Sequence, residues 1–186
     1  MKAIEFETKL FRASTYGKGI EQPKGPTIVD SFGLVAGEKA TIGVRSHDEL
    51  PLFFAAPGIL GAAKITAATA LKETFLNDLH AAIAQRNLKP EEIEVYMGPC
   101  LTFSHTRVER KTIEELMGKG YRAACKRTDG IDFLDVPVLV LMQCRRLGIP
   151  MAQIHIGDYD TFENPDLLYS ELRGDKADNL TIATLK

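Results

Sequence analysis

The sequence predicts a single α+β domain, on three observations. Short strand-like runs and helices are mixed along the chain rather than strictly alternating, which favours a mixed sheet over a doubly wound parallel one. One long segment repeats apolar residues at every fourth position, as a helix packed on a core does. No internal repeat and no dividing linker interrupts the 186 residues, a length at which one domain buries roughly 70% of its unfolded surface.

The elements follow in order. Residues 3–13 alternate Ile4, Phe6 and Leu10 with Glu5, Glu7 and Lys9, the pattern of a strand with one buried face. Gly17, Gly19, Pro23, Gly25 and Pro26 make residues 17–26 a loop. Residues 27–35, 40–44 and 50–55 read as strands, punctuated by Gly37 and Pro57. Gly58-Ile59-Leu60-Gly61 reads as a turn, too short and too apolar for a phosphate cradle. Leu71, Phe75, Leu79 and Ile83, with Leu76 beside them, predict a helix over 66–86. Pro90-Glu91-Glu92 leads into a short strand over 93–97, ended by Gly98-Pro99. Thr112-Ile113-Glu114-Glu115 has capping-box spacing for a helix start. Asp135 caps a further helix with Val136, Leu139, Val140 and Leu147 inward and Gly148-Ile149-Pro150 after it. Residues 153–156 and 180–185 complete the strands.

Charge and composition exclude several function classes. A net charge of −2, with Lys and Arg scattered among acids, gives no reason to expect nucleic acid or an anionic membrane as partner. No apolar stretch approaches the roughly 18–20 residues of a membrane span. The opening Met1-Lys2-Ala3-Ile4-Glu5-Phe6-Glu7 carries acids where a signal peptide needs an apolar core. Cys100, Cys125 and Cys144 are odd in number and include no Cys-x-x-Cys pair, which argues against a disulfide framework or a zinc knuckle. The expectation is a cytoplasmic protein with reduced thiols. Phosphate-binding glycine loop, dinucleotide fingerprint, nucleophile elbow and zincin motif are all missing from the sequence.

Four places carry residue types capable of chemistry. In an extended strand, His47 and Glu49 would share one face and Asp48 the other, a start for a metal site that needs a third ligand from elsewhere. The plainer reading is a solvated strand end. Cys100 with His105 could form a thiol nucleophile and its base if the imidazole reached the sulfur; a buried structural cysteine beside a surface histidine is the plainer reading. His155, between Ile154 and Ile156, reads as a strand histidine satisfied by a backbone or carboxylate partner. Arg173 reads as an arginine at a helix end beside Gly174, able to bind an anion but more often an ordinary surface residue.

Three segments in order carry a resemblance. Asp30-Ser31-Phe32-Gly33-Leu34 through Ser46-His47-Asp48-Glu49-Leu50-Pro51-Leu52-Phe53-Phe54 is similar to a stretch reading A-D-A-L-V…T-A-D-C-x-P-V-L. Tyr96-Met97-Gly98-Pro99-Cys100 is similar to an I-G-P motif. Asp160-Thr161-Phe162-Glu163-Asn164-Pro165, continuing through Tyr169-Ser170-Glu171-Leu172-Arg173, is similar to C-T-Y-x-D-P-x-x-F-F-S-Y-R-R. Together they resemble the laccase-domain family, also called YfiH-like or multicopper polyphenol oxidoreductase, over residues 27–186. The resemblance implies a mixed α/β sandwich of two sheets flanked by helices, as one domain over 1–186 shortened at the N-terminus. It also implies relatives described as polyphenol oxidases, as purine nucleoside phosphorylases or deaminases, and as peptidoglycan-editing factors. Their site holds zinc or copper with one Cys and two His, near Arg residues.

Carried over position by position, that metal set is broken. The Cys falls on Glu49 and one His near Ile65, where the accompanying Trp and Arg are also missing. The other His falls near Ser14-Thr15. Leu172 and Arg173 stand for the two final arginines, and the terminal Gly-Arg falls on Asp178-Asn179. Asp48, Pro51 and Ser170 persist. Losing even an outer-shell partner costs about 10–100-fold in metal affinity or activity, and losing ligands costs more. The resemblance therefore implies a divergent member without the metal cofactor. Its pocket, lined by Asp48, Glu49, Ile65 and Arg173, would serve a small molecule such as a nucleoside, or an interaction partner. One alternative is a working purine nucleoside phosphorylase or deaminase with Asp48 or Glu49 as general base. The other is a thiol hydrolase built on Cys100 and His105.

Overall fold

The computed structural model describes residues 2–186; Met1, the start of the acidic opening segment, lies outside them. The strands are β1 (Ile4–Glu7), β2 (Phe11–Tyr16), β3 (Thr27–Ile28), β4 (Phe32–Ala36), β5 (Thr41–Ser46), β6 (Leu50–Ala56), β7 (Ile59–Ile65), β8 (Glu94–Met97), β9 (Cys125–Thr128), β10 (Ile131–Leu134), β11 (Ile154–Ile156) and β12 (Asn179–Leu185). The helices are α1 (Ala67–Leu71), α2 (Thr74–Arg86), α3 (Arg110–Gly118) and α4 (Val136–Arg146).

Two five-stranded sheets, ordered β1-β2-β12-β5-β3 and β11-β8-β6-β7-β4, stack face to face, and β9 and β10 form a separate hairpin. Both sheets are mixed: β3 runs parallel to β5 and β11 parallel to β8, while the other pairs are antiparallel. Phe11, Ala13, Ile42 and Val44 of the first sheet meet Phe53, Ala55, Leu60 and Ala62 of the second in the inner core. The second sheet's outer face carries Leu50, Leu52, Phe54, Val95 and Met97 against Phe75, Leu79, Leu139 and Val140 of α2 and α4. Strand β6 is therefore covered on both faces, and all seven of its residues are buried. A strand in that position reads as a continuous apolar run rather than an alternation. No helix among the described residues is long and apolar enough to cross a membrane.

Several elements depart from the sequence reading. The run over 3–13 is a hairpin, because the Thr8 hydroxyl accepts from the amides of Leu10 and Phe11 and turns the chain between β1 and β2. Residues 27–35 divide between the sheets: β3 pairs with β5 and β4 with β7. Of the turn predicted over 58–61, only Gly58, at φ +76°, turns; Ile59 already begins β7. Gly61 inside that strand lets the Phe54 ring lie over the backbone, since a Cβ there would stand 2.2 Å from Phe54 Cζ.

The helix over 66–86 is broken at Glu73, which sits at φ +58°. Its carboxylate accepts from the Tyr121 hydroxyl at 2.9 Å, which ties the break to the segment after α3. The capping box lies at Thr66 and Thr69, at the start of α1. The one read at Thr112 is displaced, because α3 begins earlier, after Glu109, with no side-chain cap. Asp135 caps α4 as expected, accepting from the Val138 amide at 3.2 Å.

Candidate functional site

The two sheets bring the β5–β6 turn, the end of β7, the loop after β8 and the start of α4 to one end of the second sheet. Register places them there: Leu50 pairs with Ile65 across β6 and β7, and Leu52 with Met97 across β6 and β8. The Gly98 amide donates to Pro51 O at 2.8 Å, and the Leu101 amide donates to Asp48 O at 3.1 Å, so the loop after β8 is tied to the β5–β6 turn. Between these segments lies a cavity of about 430 Å³ whose walls include Asp48, Glu49, Ile65, Cys100, His105 and Arg107.

Residues 47–49 form a bend rather than a strand, so strand alternation does not put His47 and Glu49 on one face and Asp48 on the other. Asp48 and Glu49 both reach the cavity, whereas His47 turns away. Its Nδ1 lies 3.2 Å from Asp178 Oδ1, and its carbonyl accepts from Asn179 Nδ2 at 3.3 Å. Asp48 is occupied on both oxygens: Oδ1 accepts from the Thr161 hydroxyl at 2.6 Å and Oδ2 from the Leu172 amide at 2.9 Å. Glu49 Oε2 accepts from the His47 amide at 2.9 Å, which leaves Oε1 without a protein partner among the described residues. Ile65 is 1% exposed and contributes alkyl surface.

The donors at the positions carried over from the resemblance do not make a metal site. Glu49 offers one free carboxylate oxygen, Ile65 offers none, and Asp48 is spent on Thr161 and Leu172. Thr15 is buried against Thr181, with a 2.9 Å contact between their hydroxyls inside the sandwich. Among the described residues, no three His, Cys, Asp or Glu side chains are placed to hold an ion.

Cys100 and His105 line the same cavity without pairing. The Cys100 thiol donates to Leu101 O at 3.4 Å. Burial, and then the nearby Asp160, Asp135 and Asp48 carboxylates, push that thiol far above the ordinary range and keep it protonated. His105 Nε2 instead contacts Glu163 Oε1 at 2.8 Å, and its ring packs 4.5 Å from that of Phe162. His155 lies elsewhere, on β11, with its ring 5.2 Å from that of Phe6.

Arg173 stands outside the cavity walls and on a tight turn rather than a helix end. Its guanidinium donates to the carbonyls of Thr161, Phe162 and Leu168 and to Asp175 Oδ2, at 2.6–2.7 Å. It pins the loop between β11 and β12 from within. Asp175 also accepts from the Ser170 amide and from Lys18, and these donors, the Ser170 amide foremost, hold its carboxyl down at about 2. Asp160 anchors the same loop. Burial raises its carboxyl, but donors on Thr102, Glu163 and Phe162 outweigh burial and hold it below the usual range.

Sequence reasoning missed Arg107, Glu171 and Thr161. Arg107 lines the cavity from a loop that carries no local pattern, and Glu171 lines it from the last of the three resembling segments, where nothing in the motif marks it for that place. Thr161 acts through Asp48, and only the tertiary fold brings the two together.

A family model described as "Multi-copper polyphenol oxidoreductase laccase" matches residues 34–181. Among solved structures, the chain is similar to a Bacillus licheniformis hypothetical protein YfiH (16% identity, TM-score 0.75, covering 84% of this chain and 61% of that one). It is also similar to YlmD from Geobacillus stearothermophilus (15% identity, TM-score 0.72, 85% and 61%). A Neisseria meningitidis protein, NMB0706, matches over 100% of both chains at 14% identity and TM-score 0.79. The chain thus spans about 61% of the length of the first two. No curated protein matches.

Proposed function

The chain belongs to the multi-copper polyphenol oxidoreductase laccase family, and from that membership we propose that it binds a small molecule of nucleoside size without the family's metal chemistry. The observation that carries this reading is the cavity at Glu49 and Ile65. Its volume of about 430 Å³ falls within the roughly 300–1,000 Å³ of small-molecule sites. Its walls mix alkyl surface from Ile65 and Leu101 with polar groups from Glu49, Thr66 and His105, as ligand pockets do. The donor set supports loss of the metal, because a catalytic zinc site uses three protein ligands plus an open position, and only Glu49 offers a free donor oxygen at the carried-over positions.

Two measurements test the proposal. Protein purified without added metal is expected to carry zinc and copper far below equimolar amounts. Calorimetric titration with adenosine is expected to give saturable binding that weakens in Ile65→Arg, which fills the cavity. Equimolar metal that disappears in Glu49→Ala would overturn the reading.

The unpartnered Glu49 Oε1 favours one second reading, an enzyme that uses Glu49 as a general base on purine nucleosides. Phosphate-dependent release of base from adenosine or inosine, lost in Glu49→Gln, is the outcome that would select it. A nucleoside panel without turnover would set it aside.

A further inference from the structure

Arg107 is an exposed arginine on the cavity wall, and no carboxylate pairs with it among the described residues. That sets it apart from Arg110, which pairs with Glu114, Arg146, which pairs with Glu73, and Arg173, which pairs with Asp175. Glu49 and Glu171 line the same cavity, yet neither forms an ion pair with Arg107. Opposite charges therefore stand apart in one concave site. A ligand that carries an anionic group and a hydrogen-bond donor, separated by an apolar or planar body, can satisfy both at once.

The anionic group falls to Arg107, whose planar fork of N–H donors matches phosphate oxygens two at a time. The donor falls to Glu49 Oε1, which can only accept while ionised. Ile65, Leu101 and Val136 supply apolar wall to the same cavity. We infer that the cavity takes an amino-bearing purine nucleoside 5′-monophosphate, with its phosphate on Arg107 and its exocyclic amine at Glu49. This rests on the nucleoside reading above and adds the phosphate and the amine to it.

Calorimetry on the full chain with four probes tests it: AMP, adenosine, IMP and inorganic phosphate. AMP is expected to bind about tenfold or more tighter than adenosine, the scale of one or two hydrogen bonds to a charged group. Arg107→Ala is expected to erase that difference while leaving adenosine affinity in place. AMP is expected to bind several-fold tighter than IMP, which lacks the amine, and Glu49→Ala to erase that preference. Arg107 is exposed, so its removal leaves the fold intact, checked by an unchanged thermal transition. Equal affinity for AMP and adenosine would overturn this inference and leave the nucleoside reading standing. Inorganic phosphate binding as tightly as AMP would also overturn it. If neither adenosine nor AMP binds, the nucleoside reading fails and this inference fails with it.

Discussion

Asp48 and Thr161, 113 residues apart, are joined by a 2.6 Å hydrogen bond from the threonine hydroxyl to the carboxylate. The same carboxylate accepts from the Leu172 amide at 2.9 Å. One side chain in the β5–β6 turn thus holds two points of the loop between β11 and β12, and that loop supplies Glu171 to the cavity wall. Thr161 is fully buried, so its hydroxyl has no water to turn to. Hydrogen bonds to charged groups contribute about 1.5–3 kcal/mol each, and an orphaned buried donor costs a similar amount. Asp48→Ala is expected to lower unfolding stability by about 2–4 kcal/mol, and Asp48→Asn, which keeps one acceptor, by about half as much. Urea midpoints measure both. A change in Asp48→Ala below about 0.5 kcal/mol, the range of ordinary surface substitutions, would show that the contact holds nothing.

Asp175 sets a pH dependence. Its carboxyl is held at about 2, first by the Ser170 amide and then by the Arg173 and Lys18 side chains, below the roughly 3.9 of an unfolded chain. A depressed folded value means that the contribution is complete above pH about 4 and is lost as pH falls towards about 2. Asp175→Asn is expected to be less stable than the parent at pH 7 and to show a flatter loss of stability over that acid window. Asp160 is also held low and acts in the same direction in both proteins, so the difference between the two curves isolates Asp175. Parallel curves from pH 4 to 2 would contradict the assignment.

The layering of the fold was largely legible in the sequence, and its joints were not. The run over 50–55 reads as a strand, and it is apolar without a break because neighbours cover both faces of β6. Strand β7 was hidden for the complementary reason: Gly61 gives up its side chain so that Phe54 can pack, and a glycine looks like a turn when its partner is out of sight. The hairpin of β9 and β10 did carry a local signal. Asp129 and Gly130, at φ +51° and +79°, are the Asp-Gly pair of a two-residue hairpin turn. The break at Glu73 carried none, and the hydroxyl that its carboxylate accepts from, on Tyr121, is 48 residues away. The ordered motifs point to Asp48, Glu49 and Ile65, and these three line one cavity. The employment of Asp48 and Arg173 inside the protein was not, because their partners come from loops that only the closed fold brings near.

Gly61 offers a test of the sandwich itself. A methyl group there would sit 2.2 Å from Phe54 Cζ and 2.8 Å from Leu34 Cδ2, and Phe54 is fully buried. The rings of Phe32 and Phe75 pack beside it, with centroids 5.7 and 6.3 Å away. Gly61→Ala is expected to destabilise by about 1–3 kcal/mol through overpacking. The paired variant Gly61→Ala/Phe54→Leu, which frees the space, is expected to recover part of that loss relative to Phe54→Leu alone. An additive cycle would place the cost elsewhere.

Thiol labelling decides whether Cys100 can serve as a nucleophile. The thiolate is the reactive form, and burial pushes the thiols of both Cys100 and Cys144 up, Cys144 to about 12. Cys125 is half-buried and raised to a lesser extent, again mainly by burial. Iodoacetamide at neutral pH is therefore expected to label Cys125 first, more slowly than a free thiol, and faster as pH rises from 7 to 9. Cys100 and Cys144 are expected to react only on the timescale of unfolding and fully in guanidinium, as mass spectrometry of digested protein reads. His105 gives Cys100 no help, because its Nε2 is held by Glu163 at 2.8 Å, so Glu163→Ala is expected to leave the Cys100 rate unchanged. A Cys100 that alkylates in the native protein as fast as a free thiol, and slows in His105→Ala, would reverse that conclusion and make the cavity a thiol-based catalytic site.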